Sequence, residues 1–274
     1  MLIVQERPRS QARDIWAGMQ IPFVKWHGTG NDFILIDDRM ATFPVTDLSL
    51  VRRLCDRHFG IGSDGLILIQ EGSGVDYHME FFNPDGSKSF CGNGSRCAFA
   101  FWRDLVGGRD EATFTAIDGE HRAMSIGNEV SISLRDVEDM HLGSDHDRLH
   151  NGSPHEVVRV VDLEEFPVRS EGAARAHAER QGPGGSNVNF IRVDAGVVHV
   201  RTFERGVEDE TLSCGTGVVA SAISAIARGE AKAPVAVVTR GGHLRVVAEF
   251  RNGTWTAIRL IGPAEPVFHG TFTC

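Results

Sequence analysis

The feature that most constrains the fold is an internal repeat: Cys-Gly-x-Gly occurs at residues 91–94 and again at 214–217. A segment of helical composition follows each copy. A strand-like segment containing Asn precedes each copy, at 31–37 and 188–194. One plan used twice predicts two α+β halves of similar architecture. Further strand-like runs outnumber the helical ones, and they read GLILIQ, YHMEFF, ATFTAI, VSISL, HEVVRVV, VHVRTF, VAVVT and LRVVAEF.

We therefore predict two pseudo-symmetric lobes that face each other across a cleft holding the active site. Each lobe is expected to be a curled, mostly antiparallel β-sheet or barrel around a central helix. A hinge is expected near Arg135–Gly152 and a linker at 174–186. The predicted divisions are an N-terminal extension at 1–20, an N-terminal lobe at 21–136 completed by 262–274, and a C-terminal lobe at 137–261.

Composition excludes several classes of protein. Apolar residues make up 41% of the 274 residues, which suffices for a buried core, and the net charge of −9 argues against a nucleic-acid partner. No apolar run approaches the ~18 residues of a membrane span, and no signal peptide is evident, so we expect a cytoplasmic protein. The five cysteines lack Cys-x-x-Cys spacing and the 12 histidines are scattered, so we predict reduced thiols and no metal.

The two repeat cysteines stand where a helix is expected to begin. There a thiolate meets unpaired backbone N–H groups and the positive end of the helix dipole. Its pKa can fall from about 8.5 to ~3.5–7.5. The glycines of each motif let a bound carboxylate approach the backbone closely.

Two opposed acid/base groups suit inversion at a carbon that carries a hydrogen. One thiolate removes the proton from one face, and the other thiol returns a proton to the opposite face. The helix starts can hold an α-carboxylate while the carbon carries negative charge. No lysine lies in a recognisable cofactor motif, so we predict that no cofactor is needed.

These residues resemble the diaminopimelate epimerase family, a group of cofactor-independent amino-acid epimerases. The resemblance runs from about residue 21 to the C-terminus. Its motifs are WHGTGNDFILID, CDRHFGIGSDGLILI, MEFFNPDGSKSFCGNGSRCAFAFW, NGSPHEVV, GSNVNFIRV and RTFERGVEDETLSCGTGV. It implies that Cys91 and Cys214 are the two catalytic acid/bases. The α-carboxylate site would lie at Gly92-Asn93 and Gly215-Thr216.

The resemblance implies further roles, each with a plainer structural alternative. The family holds the α-ammonium at positions matching Asn31 and Glu204, and the distal amino-acid head at those matching Asn83, Asn187 and Arg205. His155 and Glu204 match residues that assist the thiols. Alternatively, the three asparagines are turn or cap residues, Glu204 and Arg205 form an exposed ion pair, and His155 is a structural histidine. Two positions depart from the commonest pattern: Gly65 replaces Gln, and Ser153 replaces Asn.

The activity implied by the resemblance is epimerisation of LL-2,6-diaminopimelate to the meso form, in lysine and peptidoglycan precursor biosynthesis. The substrate is a small amino acid, no nucleic acid or membrane partner is expected, and the family suggests a homodimer. One alternative is another cofactor-independent racemase of the same fold, of histidine or proline type. A second is a redox or binding module in which Cys91 and Cys214 form a disulfide. A third, a related isomerase lacking both thiols, is disfavoured by their presence.

Overall fold

A computed structural model describes residues 18–181 and 184–274, so most of the predicted extension at 1–20 lies outside the described residues. The described residues form 17 strands and four α-helices. The helices are α1 (Leu48–Cys55), α2 (Gly92–Leu105), α3 (Val168–Ala176) and α4 (Gly215–Ala227), and a short 3-10 turn covers Glu179–Gln181.

The strands lie mainly in two groups, before and after residue 150. The first nine are β1 (Gln20–Gly28), β2 (Asn31–Asp37), β3 (Gly65–Gln70), β4 (Tyr77–Phe82), β5 (Glu111–Ala116), β6 (Gly119–Ile126), β7 (Glu129–Ser133), β8 (Met140–Leu142) and β9 (Asp147–His150). The remaining eight are β10 (Pro154–Arg159), β11 (Asn187–Asp194), β12 (Val197–Glu204), β13 (Asp209–Thr211), β14 (Val235–Thr239), β15 (Gly242–Arg251), β16 (Thr254–Gly262) and β17 (Glu265–Thr273).

The two halves use the same order of strand pairings. In the first half β2 and β3 are parallel, β3 and β4 antiparallel, β4 and β5 parallel, and β5, β6 and β7 form an antiparallel meander. In the second half β10, β11, β12, β14, β15 and β16 repeat that order. Helix α2 lies between β4 and β5 along the chain, and α4 between β12 and β14. The predicted two-lobe, mostly antiparallel α+β fold is therefore confirmed.

Register makes the correspondence exact to the residue. Gly65 pairs with Phe33 as Asn187 pairs with His155. Strand β2 therefore corresponds to β10, and β3 to β11. The alignment of segments 31–37 and 188–194 suggested by the sequence is wrong. Segment 31–37 is β2, whereas segment 188–194 lies in β11, which is the counterpart of β3. The two strands have similar composition but occupy different places in the repeat.

Strands β7 and β16 form a pair that joins the halves. Strand β7 ends the meander of the first half and β16 ends that of the second, and the two pair antiparallel with Ile132 opposite Leu260. The C-terminal strand β17 returns to the first half and pairs with β1. Gly18 donates to the Cys274 carbonyl and Cys274 donates to the Met19 carbonyl, so Gly18 and Met19 lie beside Cys274.

Each half has its own apolar core around its long helix. The α2 core contains buried aromatic residues such as Phe99, Trp102 and Phe114, whereas the α4 core is built from smaller residues such as Val218 and Ile223. Helices α1 and α3 cover the outer faces of the two sheets. None of the helices in the described residues has the length and apolarity needed to cross a membrane.

Candidate active site

The two Cys-Gly-x-Gly segments meet between the halves. Cys91 is the N-cap of α2 and Cys214 is the N-cap of α4. A Cβ placed on Gly92 would lie 3.9 Å from the Gly215 Cα, so the first turns of the helices are nearly in contact. Leu260 packs beneath both, because a Cβ on either glycine would lie 3.2 Å from its Cδ2. The fold thus brings the two sequence-predicted thiols to one place.

Cys91 is held by its own helix and by β2. Its Sγ accepts a hydrogen bond from the Gly94 N–H at 3.3 Å. The same sulfur lies 3.8 Å from Asn31 Oδ1, which accepts from the thiol. A side chain that caps a helix in this way is placed by backbone geometry.

Cys214 occupies the equivalent position in the second half but has different neighbours. Its Sγ lies 3.6 Å from the Thr216 hydroxyl oxygen. The Glu204 carboxylate accepts from the Thr211 hydroxyl and lies close enough to Cys214 to disfavour a negative charge on its sulfur. Glu204 therefore places a carboxylate from the end of β12 near the start of α4.

The expected lowering of the thiol pKa values is not what the structure shows. Burial raises the pKa of Cys91 to about 12, although the Gly94 N–H and the positive charge of Arg96 act in the opposite direction. Burial also raises the pKa of Cys214 well above its usual range, and the nearby Glu204 carboxylate raises it further. Desolvation outweighs the helix-start N–H groups because a thiolate between two packed lobes loses most of its hydration.

Asn31 is oriented by a carboxylate that the sequence analysis did not single out. Its Nδ2 donates to Asp64 Oδ2 at 2.8 Å, which turns its Oδ1 towards Cys91 and towards the Asn93 amide 3.4 Å away. Asp64 is in turn held by Arg57 at 2.7 Å. Asp64 lies in the CDRHFGIGSDGLILI motif, but the motif does not show that Asn31 is its partner.

Asn93 joins the halves directly. It is buried, and its Nδ2 donates to the Ser213 carbonyl at 2.9 Å, next to Cys214. On the other side of the site Asn151 Nδ2 donates to the Thr216 carbonyl at 2.8 Å. Asn151 was also missed, although it is the first residue of the NGSPHEVV motif.

Asn187 and Arg205 lie together at the edge of the site. Asn187 is buried, and its Oδ1 accepts from the Arg205 backbone N–H at 3.1 Å. The Arg205 guanidinium is partly exposed and donates to the Gly184 carbonyl at 2.7 Å. Arg205 is not paired with Glu204, so the plain ion-pair alternative is not supported.

Asn83 closes its own turn. Its Nδ2 donates to the Ser87 and Ser89 hydroxyl oxygens, at 3.0 and 3.2 Å, and its carbonyl accepts from the Gly86 N–H. Within residues 18–181 and 184–274 no hydrogen bond joins it to either sulfur. The turn role is therefore present, and any substrate contact stays a prediction.

His155 is fully buried on β10, where burial lowers its pKa to about 3 and keeps the ring neutral. Asn189 Nδ2 lies 3.1 Å from Nδ1 and also donates to the Glu156 carbonyl. Nδ1 therefore accepts and Nε2 carries the hydrogen. That Nε2 has no hydrogen-bond partner in the described part of the chain.

The register relates the remaining predicted residues across the two halves. Asn31 corresponds to Ser153, and Gly65 corresponds to Asn187. Both departures from the family pattern therefore have an asparagine at the equivalent place in the other half. By the same register Asn83 corresponds to Glu204.

No metal site is evident in the ranges that the structure describes, since they hold no group of three or more His, Cys, Asp or Glu side chains able to bind an ion. The site instead offers two thiols, one carboxylate and the backbone N–H groups of two helix starts. Such a set can exchange protons and bind a carboxylate.

Comparison with known families identifies close relatives of the chain. The family model of diaminopimelate epimerase matches residues 23–133 and 149–265. The curated diaminopimelate epimerase of Flavobacterium psychrophilum is 43% identical over 251 residues, covering 90% of this chain and 98% of that protein. That of Aquifex aeolicus is 41% identical over 273 residues, covering 90% and 96%.

Solved structures of lower identity share the fold. A phenazine biosynthesis protein of the PhzF family from Bacillus anthracis has a TM-score of 0.74 at 12% identity, covering 93% of this chain and 99% of that chain. A hydroxyproline epimerase from Agrobacterium vitis, with bound trans-4-hydroxy-L-proline, has a TM-score of 0.65 at 16% identity, covering 92% of each chain.

Proposed function

The chain belongs to the diaminopimelate epimerase family, and we propose that it epimerises LL-2,6-diaminopimelate to the meso form without a cofactor. The observation that carries the proposal is the meeting of two cysteine-capped helix starts over Leu260. The curated relatives named above are diaminopimelate epimerases, and they match along nearly their whole length.

In the proposed reaction one sulfur begins as a thiolate and the other as a thiol. The thiolate takes the α-hydrogen as a proton, and the C–H electron pair remains on the α-carbon. The opposite thiol then gives its proton to the other face of that carbon. The two sulfurs have exchanged protonation states, so one proton must return through solvent before the next turnover in the same direction. No oxidation or reduction occurs.

The α-carboxylate is proposed to lie between the helix starts, against Gly92-Asn93 and Gly215-Thr216. Backbone N–H groups at a helix N-terminus favour an anion, and they stabilise the charge that develops when the α-hydrogen leaves. Gly92-Asn93 and Gly215-Thr216 are buried or half-buried where the two helix starts meet.

The α-ammonium is proposed to lie against Asn31 and Glu204. Asn31 Oδ1 is oriented as an acceptor by Asp64, and the Glu204 carboxylate is beside Cys214. A bound ammonium would offset the Glu204 charge, which now raises the pKa of both thiols. Substrate binding would thereby favour the thiolate that the reaction needs. His155 is neutral and has no hydrogen bond to either sulfur. We therefore propose that it assists the thiols without contacting them.

The distal amino-acid head is proposed to bind Asn83, Asn187 and Arg205. The Arg205 guanidinium is partly exposed and can form two parallel hydrogen bonds with a second carboxylate. This residue favours diaminopimelate over the alternative, a racemase for a monocarboxylic amino acid such as proline or histidine.

We further infer that the protein is cytoplasmic and homodimeric. All five cysteines are free, as expected in a reducing compartment. Strand β17 pairs with β1 on one side, and Val267 and Phe268 on it are 55% and 48% exposed. An exposed strand edge with apolar side chains is suited to pair with a second copy. The division into lobes at 21–136 with 262–274 and at 137–261 stays a prediction.

The direct test is incubation of the purified protein with LL-diaminopimelate and no added cofactor, followed by chiral separation. The proposal predicts an approach to a mixture of the LL and meso forms. Absence of meso product, together with turnover of proline or histidine, would support the alternative racemase.

A further inference from the structure

Arg96 is an unusual residue on α2. It has the greatest volume among the fully buried side chains of the described residues, and it lies five positions after Cys91. Its guanidinium donates to Asn93 Oδ1 at 3.0 Å, to the Pro263 carbonyl at 3.1 Å and to the Thr29 hydroxyl at 3.4 Å. All three acceptors are neutral.

Other buried cations of the described chain are paired with a carboxylate. Lys25 lies 2.5 Å from Asp32, and Arg201 lies 2.7 Å from Glu210. Arg96 has no carboxylate within ion-pair distance in residues 18–181 and 184–274, and burial lowers its pKa to about 10. An uncompensated buried charge is costly, so its retention needs a reason.

The pseudo-symmetry shows that this buried charge is present in only one of the two halves. Cys91 corresponds to Cys214, which makes Val219 the counterpart of Arg96. Val219 is fully buried and uncharged. The first half therefore has a cation behind its catalytic cysteine, and the second half has none at the same place.

The charges around the two sulfurs agree with this asymmetry. Glu204 disfavours a negative charge on either sulfur, whereas Arg96 favours one on Cys91. Besides Arg96, the ionisable side chains on the strands packed against α2 are Lys25, His27, Asp32, Asp37, Tyr77, His78, Glu80, Glu120, His121, Arg122 and Glu129. Four of the carboxylates pair with cations of their own, with Asp32 on Lys25, Asp37 on Arg39, Glu80 on Lys88 and Glu129 on Arg245. The fifth, Glu120, is exposed to solvent.

We propose that Arg96 is a positioning residue that favours the thiolate at Cys91 over Cys214 and holds the Asn93 amide that joins the two helix starts. The second role follows from a continuous chain of hydrogen bonds. Arg96 donates to Asn93, and Asn93 donates to the Ser213 carbonyl beside Cys214. Only the kinetic consequence rests on the proposed function, because thiol ionisation can be measured without substrate.

The test of the charge is the alkylation rate of Cys91 by iodoacetamide between pH 7 and 9, read by peptide mass spectrometry. A Cys214→Ala background isolates Cys91. A rise of one unit in the Cys91 pKa lowers the thiolate fraction tenfold, and the greater nucleophilicity of a more basic thiolate recovers part of that rate. Arg96→Met should therefore slow Cys91 alkylation by about three- to tenfold.

Arg103→Met is the matched control, because it removes a cation from the same helix at a half-exposed position paired with Asp110. It should leave the alkylation rate unchanged. An Arg96→Met protein that alkylates at the control rate, or an Arg103→Met protein slowed equally, would overturn the proposal.

Arg96→Lys tests the second role and does not require that the Met variant fold. Lysine keeps the charge but lacks the planar fork that reaches Asn93 and Pro263 together. Its Cys91 alkylation should stay within about twofold of the parent rate. Its kcat with diaminopimelate should fall about tenfold with KM little changed. Slowed alkylation, or full kcat, in Arg96→Lys would contradict the corresponding role. A complete absence of turnover in the parent enzyme would instead reject the proposed function and leave the alkylation result standing.

Discussion

Ile132 and Leu260 lie directly opposite each other in the β7–β16 pair, and they occupy the same position in the two halves of the fold. A pseudo-twofold axis therefore passes between them. Leu260 also packs beneath Gly92 and Gly215. The axis that relates the halves thus runs close to the place where the two cysteines are proposed to act, and this arrangement suits the proposed proton exchange on both sides of one carbon.

Asp64 is predicted to act through Asn31. Asp64→Ala removes the acceptor that fixes the Asn31 amide, a hydrogen bond to a charged group worth about 1.5–3 kcal/mol. We expect kcat/KM to fall about tenfold to hundredfold, since the Asn31 amide can then rotate. Asp64→Asn retains an acceptor and should lose less. Asp37→Ala is the control, because Asp37 is the exposed last residue of β2, the strand that begins with Asn31. Equal losses of kcat/KM in Asp64→Ala and Asp37→Ala would contradict the assigned role.

Arg205 is predicted to set preference for a substrate with a second carboxylate. Arg205→Ala should remove about 1.5–3 kcal/mol of transition-state stabilisation, because a charged hydrogen bond is lost. The value of kcat/KM for diaminopimelate should therefore fall roughly ten- to hundredfold. Arg205→Lys should recover little, since lysine cannot form the bidentate pair. Steady-state assays of the three proteins measure this. An unchanged KM and kcat in Arg205→Ala would instead favour a monocarboxylic substrate.

His155 is predicted to make stability depend on pH. Its folded pKa is about 3 and its ordinary value is 6.5, so the unfolded chain binds the proton more readily. Its contribution is complete above pH 6.5 and is lost as pH falls towards 3, at up to about 1.4 kcal/mol per pH unit. Urea unfolding at pH 7 and pH 5 should show a loss about 2 kcal/mol larger in the parent than in His155→Gln. Equal losses would mean that the ring is not held neutral.

The two thiols are predicted to oxidise to a disulfide in air and so to inactivate the enzyme. Oxidation requires a thiolate, and burial raises both pKa values, so the reaction should be slow at pH 7 and faster at pH 9. Non-reducing peptide mapping and an activity assay follow it, and a reductant should restore activity. If the reduced protein exchanges no α-hydrogen on any amino acid, the redox-module alternative is favoured.

Much of the fold could be predicted from the sequence because the strands are strongly patterned. The runs GLILIQ, YHMEFF and VAVVT match β3, β4 and β14 to the residue. The predicted linker at 174–186 was only partly right, since α3 extends to Ala176. Its short run of Ala, Arg and Gly has little amphipathic pattern, and its packing against β11 and β12 is a tertiary effect.

Only some residues of the candidate site could be predicted from the sequence. Cys91 and Cys214 could be found because the four residues of each Cys-Gly-x-Gly motif are consecutive in the chain. Asp64, Asn151 and Arg96 could not, because their roles depend on partners 33, 65 and 167 residues away in the chain. The thiol pKa values were misjudged for a related reason, since burial between two lobes is not visible in a local motif.

The most direct test of the two-thiol mechanism is α-hydrogen exchange and epimerisation of LL-diaminopimelate in D₂O by Cys91→Ala and Cys214→Ala. Each variant should lose epimerisation by about 10²–10⁴-fold, the usual contribution of a positioned acid or base. Cys97→Ala, in the same helix as Cys91 but away from the helix start, is the control and should keep most of its activity. Near-normal epimerisation by either Cys91→Ala or Cys214→Ala would contradict the mechanism.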